Sequence, residues 1–93
     1  MMQPPPDNPE LPLLSLESFA AQGVHLTAED LKFLQRALPL RKEMRDAALR
    51  AWLAHYWAAY DAEPIDHRQR NAGLRAANQG LLALVQARRG GSR

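Results

Sequence analysis

The chain predicts an all-α fold: a small helical bundle of two short N-terminal helices packed on a long antiparallel helical hairpin, preceded by an extended proline-rich arm. Three observations lead there. Residues 39–64 are bracketed by prolines and contain no helix breaker, and their apolar side chains recur at helical spacing. Ser, Thr and Asp residues stand where helix starts need them, at Ser15, Thr27 and Asp66. Gly23, Pro39 and Pro64 then punctuate the helical segments. Residues 1–12 read as an extended or disordered arm, 13–89 as a single helical domain and 90–93 as a flexible tail.

Within the arm, Pro4, Pro5, Pro6, Pro9 and Pro12 fix φ and remove amide donors, so it cannot fold alone. Leu11, Leu13, Leu14 and Leu16 are too apolar for a free tail and mark where the arm meets the bundle. Residues 15–22 form the first helix candidate. Ser15 is its N-cap, Leu14 and Phe19 have the spacing of a hydrophobic staple, and Gly23 occupies C′. The second candidate covers 28–38, with Thr27 as N-cap, Asp30 at N3 in a variant capping box, and Leu26 and Leu31 as a staple. Leu31, Leu34 and Leu38 share one face, and Phe33 with Ala37 points to another. Pro39 ends this helix, because it lacks an N–H and biases Leu38 away from helical backbone.

The long helix in 39–64 is apolar on two opposed arcs. Leu49, Trp52, Leu53, Tyr56, Trp57 and Tyr60 make an aromatic arc, and Leu40, Met44, Ala47, Ala51, Ala54, Ala58 and Ala62 make an alanine arc. An ordinary surface helix has one apolar stripe, so this one calls for cover on both sides, from its own chain or a partner. A short turn over 62–66 leads to the last helix, 66–89, with Asp66 and Gln69 at capping-box spacing. Its apolar face holds Leu74, Ala77, Leu81, Leu84 and Val85, with Gly73 and Gly80 along one edge. Each interior glycine costs about 1 kcal/mol relative to alanine, which a close helix contact would justify. The alanine arc is the natural counterpart of that edge, leaving the aromatic arc to the two N-terminal helices.

Composition narrows function by exclusion. There is no cysteine, so neither a disulfide framework nor a thiolate site is available. No apolar run approaches the roughly 18 residues of a membrane span, and no secretory signal pattern opens the chain, so a cytoplasmic protein without membrane partners is expected. Abundant Arg and Ala, with Lys only at 32 and 42, suggest a GC-rich bacterial or phage source. The net charge of +2 hides an asymmetry. Residues 1–30 carry Asp7, Glu10, Glu17, Glu29 and Asp30 without any Lys or Arg, and all twelve basic residues follow them.

His25, His55 and His67 have no metal-ligand spacing, and Asp66 beside His67 cannot share a helix face. Gly90 and Gly91 lack the strand-to-helix context of a phosphate loop. The chain therefore reads as non-enzymatic, with no cofactor, metal site or small-molecule substrate. The helix, glycine turn and helix over 19–31 is not a DNA reader, because Glu29 and Asp30 would face phosphate at the start of the second helix.

Two interaction surfaces remain. Trp52, Tyr56, Trp57 and Tyr60 are either core or a docking stripe, since Trp and Tyr are enriched at binding hot spots. Arg68, Asn71, Arg75, Gln79 and Gln86 share a polar face of the last helix, and Arg41, Lys42, Arg45, Arg88 and Arg89 gather at the open end of the hairpin. The leading expectation is a protein-binding module, an adaptor, inhibitor or homodimer whose partner is another protein or itself. The alternative is an accessory nucleic-acid-binding protein that uses Arg68, Asn71, Arg75, Gln79, Arg88 and Arg89.

Overall fold

The computed structural model describes residues 11–90, and side chains through residue 87. The described residues form an all-α bundle of four helices: α1 Leu16–Ala21, α2 Ala28–Ala37, α3 Lys42–Ala62 and α4 Asp66–Gly90. The expectations for an arm over residues 1–10 and a tail over 91–93 lie outside the described residues. Residues 11 and 12 belong to the fold rather than to an arm, since Pro12 is buried and Leu11 packs against the core.

The N-terminal caps follow local chemistry. Ser18 N–H donates to Ser15 Oγ at 3.2 Å, which starts α1. At its end Gly23 has φ +85°, Gly23 N–H donates to Ala20 O, and Val24 N–H donates to Phe19 O. This is a complete Schellman motif, and its usual apolar contact is supplied by Phe19 and Val24, both fully buried. At α2 the capping box is closed in both directions: Asp30 N–H donates to Thr27 Oγ1 and Thr27 N–H donates to Asp30 Oδ2. Leu38 is extended at φ −70° and ψ 140°, as the following proline requires.

The start of α4 is built differently from the expected capping box. Gln69 Nε2 donates to Tyr60 O at 3.1 Å and to Glu63 O at 3.3 Å, so its amide caps the C-terminal carbonyls of α3. Asp66 is the first helical residue rather than the cap. Gln69 thus ties the first turn of α4 to the end of α3.

The core sits on the aromatic side of α3. Phe19, Val24, Leu34, Leu38, Ala48, Leu49, Trp52, Tyr56, Leu74, Ala77 and Leu81 are all buried, and Leu31, Phe33, Leu53, Trp57, Tyr60 and Val85 pack around them. α4 runs back along α3 and also touches α2. Here the structure corrects the expected hairpin contact. Gly73 lies against Tyr56 and Gly80 against His55, so α4 meets the flank of the aromatic arc and not the alanine arc. Ala47, Ala51, Ala54, Ala58 and Ala62 remain exposed, as does Leu40. The physical reason is area: each buried Trp or Tyr removes about 150–250 Å² from water, several times what an alanine offers, so both coverings converge on the aromatics.

Burial also sets a pH limit. Desolvation, reinforced by neighbouring Tyr60, pushes the Tyr56 phenol above its ordinary value. A raised folded-state pKa favours the native state below the unfolded value of about 10, and that contribution is lost as pH rises through the folded value. The melting temperature should therefore fall once pH passes about 10, and Tyr56→Phe should blunt the fall. A parent and variant with parallel melting curves from pH 8 to 11 would show that Tyr56 does not govern alkaline stability.

Candidate functional site

Four aromatic residues were expected to line either core or interface, and the fold divides them. Trp52 and Tyr56 are each only 1% exposed, so both rings belong to the core. Trp52 meets Phe19 edge-on at 5.8 Å and stacks on Tyr56 at 5.7 Å. Trp52 Nε1 donates to Asn78 Oδ1 at 2.9 Å, so the indole N–H is satisfied across the hairpin. Trp57 and Tyr60 are half-buried, stand 5.2 Å apart, and continue the ring cluster toward solvent. Trp57 also packs under the α1–α2 turn, about 3.5 Å from where a Cβ on Gly23 would lie.

Sequence reasoning missed Asn78 and Arg70. Asn78 falls on α4 within the same arc as Leu74, Leu81 and Val85, and a polar residue inside an apolar arc is the signal that marks a buried partner. Arg70 joins α4 to the α1–α2 connection: its Nε donates to His25 O at 2.6 Å, and its guanidinium lies 3.4 Å from Asp30 Oδ2. The capping carboxylate of α2 therefore doubles as an anchor for α4.

The polar face proposed on α4 exists as a face. Arg68, Asn71, Arg75, Gln79 and Gln86 are all exposed, and among the described residues none of their side chains enters a hydrogen bond or ion pair with the rest of the fold. The side chains of Arg88 and Arg89 lie outside the described residues. At the open end of the hairpin, Lys42 Nζ bonds Asp46 Oδ2 at 2.8 Å, and this bond holds the Asp46 carboxyl below its ordinary pKa. Lys42 is thus partly neutralised, while Arg41 stays exposed and Arg45 is half-buried.

The surface that the sequence placed against α4 instead faces outward. Ala47, Ala51, Ala54 and Ala58 form an exposed strip along α3, and Leu40, 92% exposed, lies two residues before the helix. Beside the strip a groove of about 110 Å³ runs between α3 and α4, lined by Ala48, Ala51, Trp52, His55, Gly80, Leu81 and Leu84. His55 lies across Gly80, and Leu84, 39% exposed, forms the far rim. Together these side chains make a largely apolar surface with one imidazole.

Among the described residues no three His, Asp or Glu side chains gather as metal ligands. Nor is any described helix long and apolar enough to cross a membrane. Compared with protein-family models, curated proteins and solved structures, the chain matches none of them.

Proposed function

We propose that this chain is a small, non-enzymatic protein-binding module of the bacterial or phage accessory type, working in the cytoplasm. It presents the outer face of α3 and the adjoining α3–α4 groove to its partner. One observation carries the reading: the fold fills its core from the aromatic arc and leaves Ala47, Ala51, Ala54 and Ala58 of the second apolar arc exposed along α3, with Leu40 exposed just before it and Met44 half-buried. A contiguous exposed apolar patch with a polar surround is what docking surfaces provide. Trp57 and Tyr60 lie on the other side of α3 and serve the fold first.

A second reading rests on a separate observation, the exposed and unpaired set Arg68, Asn71, Arg75 and Gln79 on α4. Side chains of these types contact phosphates and base edges. One experiment separates the two readings. The immobilised protein is offered host lysate with and without nuclease, alongside Ala51→Glu and the pair Arg68→Ala with Arg75→Ala. Ala51 is exposed mid-helix, so a glutamate there places charge on the apolar strip at a propensity cost of only a few tenths of a kcal/mol. The expected result is capture that resists nuclease, survives the arginine changes and is lost with Ala51→Glu. Capture that vanishes with nuclease and with the arginine pair would replace the first reading by the second. In that case binding to duplex DNA should fall with salt at a log–log slope near −0.9 per phosphate contact, and the pair should flatten it by about two contacts.

A further inference from the structure

The outer face of α4 keeps one chemistry over most of the helix. At about 100° per residue, Arg68, Asn71, Arg75, Gln79, Leu82 and Gln86 fall within one arc of roughly 80°, and all of them are exposed. Leu74, Ala77 and Leu81 occupy the buried side of the same helix. No Asp or Glu follows Asp66 in the chain, so α4 offers its arginines no carboxylate beyond that first residue. We propose that this stripe binds duplex DNA by entering its major groove. The inference rests on the second of the two readings above and names its ligand. It uses a different helix from the apolar strip and leaves protein docking there untouched.

Three features select duplex DNA among nucleic acids. The first is shape. The major groove of B-form DNA is about 12 Å wide and admits an α-helix, whereas that of A-form RNA is too deep and narrow for side chains to read. The second is the want of a stacking platform. Single strands are held by aromatic rings laid against their bases. α4 contains no Phe, Trp or Tyr, and every such residue elsewhere in the chain is in the core or packed against it. The third is the side-chain set. Arg bonds O6 and N7 of guanine as a fork, and Asn and Gln bond N6 and N7 of adenine in the same two-pronged way. Solubility alone is commonly met by Glu and Lys pairs, and α4 contains neither residue.

Spacing along the helix assigns the roles. Asn71 to Gln79, with Arg75 between them, covers about 12 Å, the rise of three to four base pairs at about 3.4 Å each. These three form the base-reading set. Arg68 and Gln86 stand about 27 Å apart at the ends of the stripe, where a straight helix leaves the curving groove and meets phosphate. Arg75 lies against phosphate on an arbitrary sequence and turns to a guanine on a preferred one.

The test is fluorescence anisotropy of a labelled DNA duplex of mixed sequence, its single strand and the matching RNA duplex, each titrated with the full chain at two salt concentrations. The expected result is duplex DNA binding with a Kd on the order of 1–100 µM at physiological salt, and weaker binding to the other two. Arg68→Ala with Arg75→Ala should flatten the salt dependence by about two contacts. Asn71→Ala with Gln79→Ala should leave that dependence unchanged and abolish the enrichment of a preferred sequence from a random duplex pool. All four positions are exposed and alanine is the best helix former, so the variants keep their fold, which circular dichroism verifies.

A parent chain that binds no duplex DNA at low salt overturns the proposal, and so does binding indifferent to the arginine pair. So does a parent that enriches no sequence, or an Asn71 and Gln79 variant that enriches as the parent does. Equal or tighter binding to the single strand or the RNA duplex overturns the major-groove mode and leaves the nucleic-acid reading standing. Nuclease-sensitive capture from lysate without affinity for duplex DNA has the same meaning.

Discussion

Trp52→Ala should cost about 3–5 kcal/mol, the largest loss expected from any single substitution in this chain. A domain this size is stabilised by roughly 5–12 kcal/mol, so the variant loses a large share of the parent's margin. Three things are lost together. The indole joins Phe19 of α1 to Tyr56 of α3. It lies buried among residues contributed by α1, α2, α3 and α4. Its N–H satisfies Asn78 Oδ1 across the hairpin. Trp52→Phe separates these effects, since it keeps an aromatic ring but leaves Asn78 Oδ1 without that donor, for an expected cost of about 1–3 kcal/mol. Urea unfolding followed at 222 nm measures both, and Trp57 remains as a fluorescence probe. A Trp52→Ala loss below about 1.5 kcal/mol would mean that the bundle is not organised around this residue.

The second large effect is a contrast between two glycines seven residues apart on the same helix. At Gly73 an added Cβ would lie 2.9 Å from Tyr56 O and 2.9 Å from Tyr56 Cδ1. One of those atoms is backbone and the other belongs to a ring stacked between Trp52 and Tyr60, so neither can yield without moving α3. Gly73→Ala should therefore destabilise by about 1–3 kcal/mol, overriding the helix-propensity gain of about 1 kcal/mol. At Gly80 the same Cβ would lie 2.9 Å from His55 Cδ2. That imidazole belongs to an exposed residue and can rotate toward solvent, so the propensity gain survives. Gly80→Ala should raise the melting temperature by about 2–4 °C. Thermal melts of the two variants decide the matter: shifts in the same direction would show that the α3–α4 spacing is not set at Gly73.

These two positions also show where reading the chain reaches its limit. Both glycines are recognisable in the sequence as marks of a close helix contact, and the contact is real. Their partner is not recognisable there, because α3 carries two apolar arcs and periodicity ranks neither. The alanine arc looks suited to small residues, yet the fold leaves it exposed and lays α4 against Ala48, Trp52, His55 and Tyr56. The alanine arc is thus legible as a set of residues but its neighbour is not, and the docking stripe expected from the sequence lies instead on the aromatic arc at Trp52, Tyr56, Trp57 and Tyr60.

Whatever depends on groups a few residues apart is already readable along the chain. Ser15 capping α1, Gly23 turning at positive φ, the Thr27 and Asp30 box, and Leu38 extended before Pro39 all involve bonds within about five residues, where chain connectivity already supplies the proximity. The all-α class follows from those signals and from helical periodicity. Folding adds what no local signal carries: which arc of α3 becomes core, that Asn78 answers Trp52, that Arg70 ties α4 to the α1–α2 connection, and that Gln69 caps α3 rather than its own helix. Such choices compare the areas that alternative packings bury and the hydrogen bonds they satisfy, across as many as 45 positions of sequence. No local pattern encodes that comparison. It is settled when Trp52 and Tyr56 leave water together.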